Sequence, residues 1–314
     1  MAANRRLTVR LASPRGFCAG VERAIRTVED ALASYGRPVY VRHEIVHNTH
    51  VVGRLRAMGA VFIEDIAAAP ADRPLIFSAH GAPKAVHEAA AARALLTIDA
   101  TCPLVQKVHA ETRRHVSRGR HVLLIGHAGH PEVEGTMGQV PPGSVTLIET
   151  AEKAKSVPAP SRLLAYVTQT TLSVDDAEEI IVALKTRFPW IEGPRTADIC
   201  YATTNRQTSV KRIAPGADLV VVIGSAASSN SNRLVDTALA AGADRALLVD
   251  DPAKCDLDLF ENVRTVGVTA GASAPEELVE SLLARLASRF ELCIETVETA
   301  VENVVFKTPM MMAG

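Results

Sequence analysis

The chain has 314 residues, of which 47% are hydrophobic and 22% are charged, a composition typical of a globular protein with room for two or three domains. Its 34 Lys and Arg residues are balanced by 35 Asp and Glu residues, so the sequence offers no electrostatic argument for a nucleic-acid partner. No apolar run has the length of a signal peptide or a membrane span, and we expect a cytoplasmic protein with no membrane partner.

Strand-like and helix-like segments alternate along the chain. In chain order, the predicted strands cover 7–12, 39–46, 61–64, 75–78, 95–98, 121–125, 145–149, 163–168, 219–223, 246–249 and 265–269. The predicted helices cover 21–32, 51–58, 83–95, 105–117, 173–188, 202–213, 232–241 and 276–290. Because this alternation is typical of largely parallel sheets, we predict an α/β fold. The stretch 141–160 has the composition of a surface excursion, and the tail 291–314 shows strand character at 304–306 before an end that we expect to be frayed.

Three of the five cysteines precede a predicted helix, namely Cys18, Cys102 and Cys200, and the first two of them also follow a predicted strand. Near the N-terminus of a helix the dipole favours the thiolate, which is the form that binds metals. The three lie 84 and 98 residues apart, so each can belong to its own α/β unit, and we expect them to converge on one metal centre. A cysteine taken alone is more often a small buried apolar residue than a metal ligand, and this is the role that we assign to Cys255 and Cys293.

Polar side chains follow several predicted strands, at the edge where open α/β sheets bind ligands. They are His47, His80, His127, His130, Glu132, Thr170, Ser228, Ser229, Asn230 and Ser273. Histidine, serine and asparagine beside helix N-termini suit a phosphate or diphosphate, whereas no Walker A or GxGxxG motif supports a nucleotide. Glu132 is the acid of the richest loop, where a desolvated carboxyl can relay a proton, and Thr170 can link it to a substrate hydroxyl.

Simpler structural roles stay open for the same residues. The serines can be helix N-caps, Glu132 can serve a helix dipole, and His80 can be a turn residue before Gly81. We interpret the remaining histidines as surface or helix-face residues, namely His43, His50, His87, His109, His115 and His121.

Nine motifs together resemble the 4-hydroxy-3-methylbut-2-enyl diphosphate reductase family, the iron–sulfur reductases of the methylerythritol phosphate route to isoprenoids. In chain order they are PRGFCAGVERA, YVRHEIVHN, FSAHG, DATCPLVQKVH, IGHAGHPEVEGTMGQ, TQTTLSVDD, DICYATTNRQ, GSAASSNSNRL and GVTAGASAP. The resemblance extends from about residue 7 to residue 306 in order and with the expected spacing.

The resemblance implies three pseudo-symmetric α/β lobes in a trefoil around a central cluster. We place the lobes at 19–102, at 103–196, and at 1–18 with 197–290, followed by the tail 291–314. It implies that Cys18, Cys102 and Cys200 hold a [4Fe–4S] cluster with one open iron, that Glu132 donates a proton, and that Thr170 positions the substrate hydroxyl. The implied diphosphate-binding residues are His47, His80, His130, Ser228, Ser229, Asn230 and Ser273.

The reaction that the resemblance implies is reductive dehydroxylation of (E)-4-hydroxy-3-methylbut-2-enyl diphosphate to isopentenyl and dimethylallyl diphosphate. An external donor of the ferredoxin or flavodoxin type must supply electrons, because the sequence has no flavin or nicotinamide motif. Two other functions stay open. One is a hydro-lyase with a three-cysteine cluster and a phosphorylated substrate, which needs no reductant. The other is an iron sensor or a structural zinc protein, against which the His–Glu and Ser–Asn loops argue.

Overall fold

The computed structural model describes residues 5–159 and 161–309. In chain order, the strands are β1 (Arg5–Ser13), β2 (Val39–Arg42), β3 (Ala60–Ile63), β4 (Leu75–Phe77), β5 (Thr97–Asp99), β6 (His121–Ile125), β7 (Val145–Ile148), β8 (Leu164–Thr168), β9 (Leu219–Ile223), β10 (Ala246–Val249), β11 (Thr265–Ala270) and β12 (Phe290–Glu298). The helices are α1 (Ala19–Tyr35), α2 (Thr49–Met58), α3 (Lys84–Ala92), α4 (Pro103–Ser117), α5 (Pro131–Met137), α6 (Ala151–Ser156), α7 (Val174–Arg187), α8 (Tyr201–Ile213), α9 (Ser229–Ala240) and α10 (Glu276–Ala287). Short 3₁₀ turns lie at Ile66–Ala68, Pro252–Lys254 and Leu257–Phe260.

The strands form three sheets in which every pair among the described residues is parallel. The first sheet has the order β10–β9–β11–β1–β12, the second has β3–β2–β4–β5, and the third has β7–β6–β8. Strands β8 and β9 are buried at every position, as expected when both faces of a parallel sheet are covered. The prediction of an α/β fold with parallel sheets is confirmed.

The described chain divides into two compact units. Unit 1 contains the described part of Met1–Ala19 together with His47–Gly53 and Tyr201–Val305, and it carries the five-stranded sheet. Unit 2 contains Gly20–Val46, Arg54–Cys200 and the described part of Phe306–Gly314, and it carries the other two sheets. The boundaries of the three predicted lobes stay a prediction.

The core of unit 1 lies on both faces of its sheet, because successive side chains of a strand point to opposite faces. In β9, Val221 belongs to the cluster that includes Leu282 of α10, whereas Val220 and Val222 belong to the cluster that includes Leu234 of α9. All these side chains are fully buried, so apolar contacts on both faces hold the sheet in place.

Unit 2 repeats this arrangement on its three-stranded sheet. Leu123 of β6 packs in the cluster with Leu184 of α7, and Leu124 packs with Val108 of α4. Its four-stranded sheet packs Phe77 of β4 near Ala90 of α3. No helix in residues 5–159 and 161–309 is both long and apolar enough to cross a lipid bilayer.

The C-terminal strand differs from the prediction. The strand predicted at 304–306 is wrong, and the chain instead forms β12, which pairs with β1 from Arg5↔Phe290 to Ser13↔Glu298. β12 carries three glutamates and is largely exposed, which an edge strand tolerates and which protects that edge from pairing with other chains. The predicted frayed end lies, from residue 310 onward, outside the described residues.

Candidate functional site

The three cysteines singled out by the sequence share one local geometry. Cys18 directly precedes α1, Cys102 precedes α4 and Cys200 precedes α8. The backbone N–H of each donates to a carbonyl in a turn that follows a strand, at 3.2 Å from Cys18 to Ala272, 3.0 Å from Cys102 to Ala79 and 3.1 Å from Cys200 to Thr170. All three cysteines are half-buried. Each cysteine turn is therefore tied to a turn at the carboxyl end of a β-strand.

The donor set fits an iron–sulfur group, because half-buried thiols at helix N-termini favour the thiolate form that such clusters require. In the part of the chain that the structure describes, no group of three or more His, Cys, Asp or Glu side chains forms a ready set for a metal ion. Cys18 belongs to unit 1, whereas Cys102 and Cys200 belong to unit 2. A metal centre shared by the three thiolates stays a prediction.

Glu132 and Thr170 form a buried pair in unit 2. Glu132 lies in the first turn of α5, and only 2% of its surface is exposed. Its Oε1 accepts a hydrogen bond from the backbone N–H of Thr170 at 2.6 Å, and its Oε2 accepts one from the Thr170 hydroxyl at 2.8 Å. Burial raises the pKa of Glu132 to about 7, although both bonds from Thr170 lower it. The side chain is therefore able to give or take a proton near neutral pH.

A second buried acid lies near this pair and was not singled out in the sequence. Asp198 accepts a hydrogen bond from the Thr168 N–H at 3.0 Å. It also forms an ion pair with Lys107 at 3.0 Å. Burial raises the pKa of Asp198 to about 6, against the opposing effects of Thr168 and Lys107. Its charge in turn raises the pKa of Glu132. A lysine on a helix and an aspartate in a loop give no sequence signal of such a contact.

Two of the predicted histidines lie together in unit 2. The ring centroids of His80 and His130 are 5.9 Å apart in an edge-on arrangement. His130 caps α5, since its Nδ1 accepts the backbone N–H of Glu132 at 3.1 Å. A neutral imidazole that accepts at Nδ1 carries its proton at Nε2, so His130 can present an N–H donor to a phosphate oxygen.

The polar residues predicted in unit 1 also lie together. The Ser273 hydroxyl donates to the carbonyl of His47 at 3.0 Å and lies 3.5 Å from the hydroxyl of Ser228. Ser228 caps α9, where its oxygen accepts the backbone N–H of Ser231. The role of helix N-cap, left open for Ser228 by the sequence, is confirmed, whereas the cap of α10 is Pro275 rather than Ser273.

Asn230 has a buried side-chain amide with no hydrogen-bond partner among the described residues. It is 4% exposed, and both its Oδ1 and its Nδ2 are buried with no partner among the described residues. Gly271 packs closely beside this part of α9. A Cβ at Gly271 would lie 2.1 Å from the Ser231 hydroxyl and 3.4 Å from Asn230 Nδ2. A buried amide without partners is costly, so a polar group is expected to fill this place.

Two of the histidines interpreted as surface or helix-face residues lie on a helix but are buried. His109 and His115 both lie on α4, but they are 6% and 0% exposed. Burial lowers the pKa of His109 to about 4, which keeps its ring neutral. Its ring fills the space beside Gly81, where an added Cβ would lie 2.6 Å from Cε1. His109 thus supports the loop that carries His80.

The family of the chain follows from its sequence as a whole. The family model for LytB protein matches residues 9–287. The chain belongs to the LytB family. Curated relatives of this LytB chain are named 4-hydroxy-3-methylbut-2-enyl diphosphate reductase. The relative from Hyphomonas neptunium is 58% identical and the one from Phenylobacterium zucineum is 60% identical, each over 309 residues that cover 98% of both chains.

Solved structures agree with this LytB assignment. The structure described as the E-1-hydroxy-2-methyl-but-2-enyl-4-diphosphate reductase from Plasmodium falciparum matches with a TM-score of 0.91 at 38% identity, covering 98% of this chain and 96% of that one. A second, described as (E)-4-hydroxy-3-methyl-but-2-enyl diphosphate reductase, matches with a TM-score of 0.65 at 30% identity, covering 90% and 99%. The resemblance seen in the nine motifs is confirmed.

Proposed function

We infer that this LytB chain reduces (E)-4-hydroxy-3-methylbut-2-enyl diphosphate to isopentenyl diphosphate and dimethylallyl diphosphate. Curated relatives of that name match nearly its full length, and one solved relative is described as the terminal enzyme of the non-mevalonate pathway. The structural observation that carries the proposal is the buried Glu132 carboxyl, bound through both oxygens to Thr170. Removal of a hydroxyl as water requires a proton at the leaving oxygen, and Glu132 is an acid able to supply it.

The proposed diphosphate-binding residues belong to two local clusters. In unit 1 they are His47, Ser228, Ser229, Asn230 and Ser273, and in unit 2 they are His80 and His130. A diphosphate accepts hydrogen bonds, and these side chains offer hydroxyl, amide and imidazole donors. Support comes from Asn230, whose buried amide has no partner among the described residues, and from the Nδ1 acceptor of His130, which leaves its proton at Nε2.

Thr170 connects the acid to the substrate hydroxyl. When Glu132 is ionised, the Thr170 hydroxyl donates to it. When Glu132 carries a proton, that bond can reverse, and Thr170 then donates toward the substrate oxygen while Glu132 donates to Thr170. A proton is thereby passed to the hydroxyl that leaves.

Cys18, Cys102 and Cys200 are the proposed ligands of a [4Fe–4S] cluster that keeps one iron open to the substrate oxygen. When bound, such a cluster supplies electrons one at a time and acts as a Lewis acid. The support is the shared placement of the three half-buried thiols at helix N-termini, together with the family assignment. The electrons come from an external donor of the ferredoxin or flavodoxin type. We place the protein in the cytoplasm, where thiols stay reduced.

An anaerobic preparation tests this function. We expect visible iron–sulfur absorbance, four irons per chain, and formation of both products only when a reduced viologen dye and the substrate are both present. Cys102→Ser should lose the absorbance, whereas Cys293→Ser should keep it, because Cys293 lies within β12 rather than before a helix. Turnover without reductant would favour the hydro-lyase instead, and a colourless preparation with bound zinc would refute the reductase.

A further inference from the structure

Three basic side chains occupy equivalent sequence positions relative to the three cysteines. Arg23 in α1, Lys107 in α4 and Arg206 in α8 each lie five or six residues after one of the three cysteines, in the helix that this cysteine precedes. Arg23 is 8% exposed and Arg206 is fully buried. The side chain of Lys107 is 27% exposed. Because a charged side chain that loses water must find new partners, the groups that bind these three cations indicate what they do.

Each of these cations binds backbone carbonyls just upstream of a different cysteine. Arg23 donates to the carbonyl of Thr101, the residue before Cys102, at 3.0 Å. Lys107 donates to the carbonyls of Thr196 and Ala197, upstream of Cys200, at 2.7 and 3.0 Å. Arg206 donates to the carbonyls of Gly16 and Phe17, upstream of Cys18, at 2.6 and 3.1 Å. All these bonds lie within one unit or the other.

The three connections close a cycle in the sequence. The helix after Cys18 holds the turn of Cys102, the helix after Cys102 holds the turn of Cys200, and the helix after Cys200 holds the turn of Cys18. Each of the three cysteine turns is thus bound by one basic side chain, and each of the three helices supplies one of them. A set of unrelated surface or core contacts would not be expected to follow this order.

A second partner fixes each cation in place. Lys107 pairs with Asp198 at 3.0 Å, Arg206 pairs with Glu302 at 3.0 Å, and Arg23 donates to the carbonyl of Lys307 at 2.8 Å. Each of these side chains therefore connects a cysteine turn to a second group of the chain. Asp198 is in turn held by the Thr168 N–H, next to the strand end that carries Thr170.

We propose that Arg23, Lys107 and Arg206 are positioning residues that hold the turns of Cys102, Cys200 and Cys18 in the geometry needed to bind the cluster. The proposal rests on the proposed function, because it takes these cysteines as the ligands. By binding carbonyls one to four residues before each thiol, the cations prevent the backbone that carries each Sγ from rotating. Groups of this kind behind a metal ligand govern how tightly the metal is held.

Lys107 offers the sharpest test, because it is the least buried of the three. Lys107→Met removes the ammonium and keeps a side chain of similar length, Lys107→Arg keeps the charge, and Arg113→Met removes an exposed cation of the same helix as the matched control. Loss of a residue behind a metal ligand typically weakens metal binding about 10- to 100-fold. We therefore expect Lys107→Met to release iron to an excess of chelator about tenfold faster or more, and the other two variants to release it at nearly the wild-type rate.

The measurement is made on anaerobic holoprotein, with hydrogen exchange of backbone amides read in parallel. Lys107→Met should speed exchange in residues 196–200 and leave 99–102 unchanged. Arg23→Lys cannot reach the carbonyls of both Thr101 and Lys307. This variant should speed exchange in residues 99–102 and leave 196–200 unchanged. The proposal is overturned if Lys107→Met retains iron as well as Arg113→Met does, or if both variants loosen the same turn. A wild-type protein without an iron–sulfur cluster would instead refute the proposed function.

Discussion

Burial is the main reason why Glu132 keeps its proton near neutral pH. It raises the pKa of the carboxyl to about 7, the charge of Asp198 raises it further, and the two bonds from Thr170 act in the opposite direction. The carboxyl is therefore poised between its two forms at the pH where a general acid is most effective.

Replacing the acid tests this role at the residue scale. Glu132→Gln keeps the size of the side chain and removes the proton, so we expect turnover to fall about 10²- to 10⁴-fold while the cluster and the substrate affinity stay nearly unchanged. In the wild type, kcat/KM should decline as the pH rises through about 7, because the carboxyl loses its proton there. Steady-state kinetics from pH 5.5 to 8.5 measure both effects, and full turnover by the glutamine variant would contradict the assignment.

The sequence predicted Glu132 and Thr170 but not Lys107 or Asp198. Glu132 stands in a loop with histidines and glycines, and this composition indicates a site. Lys107 looks like any cation on an amphipathic helix, and only the three-dimensional contact with Asp198 reveals its partner. The sequence contains no sign that His115 is buried, because two arginines directly precede it. In the structure the His115 side chain is fully buried.

At the scale of the elements, the first turn of α9 depends on a close approach to the end of β11. A Cβ at Gly271 would meet the Ser231 hydroxyl at 2.1 Å, so Gly271→Ala must displace that hydroxyl, which lies in the same helical turn as Asn230. We expect KM for the diphosphate substrate to rise about tenfold or more, since small displacements of positioning groups have effects of this order. Substrate titration of the visible spectrum measures the change.

Gly53→Ala is the matched control for this substitution. Gly53 lies inside α2, has no neighbour within 4 Å of an added Cβ, and its exchange for alanine should stabilise the helix by about 0.5–1 kcal/mol. We expect its KM to equal that of the wild type. A normal KM in Gly271→Ala would show that the predicted diphosphate contacts of Asn230 do not matter.

Helices and strands were predictable where apolar residues follow one regular pattern along the sequence. The continuous apolar run of β9 and the spaced apolar residues of α4 gave nearly the right bounds. By contrast, α5 and α6 have only seven and six residues, too few for a helical period, and β12 is largely exposed, with three glutamates among its nine residues, so its apolar pattern is weak. Their places depend on caps and on pairing with β1, which are decided by the rest of the fold.

At the scale of the whole molecule, buried acids make stability depend on pH. The pKa of Glu132 in the folded chain, about 7, lies above its ordinary value of 4.5, so the native state binds this proton more strongly than the unfolded state does. The resulting stabilisation is fully present below pH 4.5 and is lost as the pH rises through about 7. Asp198, with its pKa raised to about 6, acts in the same direction.

We expect the thermal midpoint of the wild-type holoprotein to fall from pH 5 to pH 8 more steeply than that of Glu132→Gln, which has no carboxyl to ionise at this position. The exposed Glu178→Gln on α7 serves as the control and should follow the wild type. Anaerobic calorimetry at several pH values gives the comparison, and parallel curves for the wild type and Glu132→Gln would mean that Glu132 is not buried as described.

The pairing of β1 with β12 also governs the order in which the protein can be assembled on the ribosome. Unit 2 draws most of its chain from residues 20–200, whereas the sheet of unit 1 joins residues 5–13 to residues 290–298. The N–H of Cys18 likewise needs the carbonyl of Ala272. During translation, the turns of Cys102 and Cys200 can therefore form first, and the segment with Cys18 must wait, unpaired, until residues 290–298 have emerged from the exit tunnel.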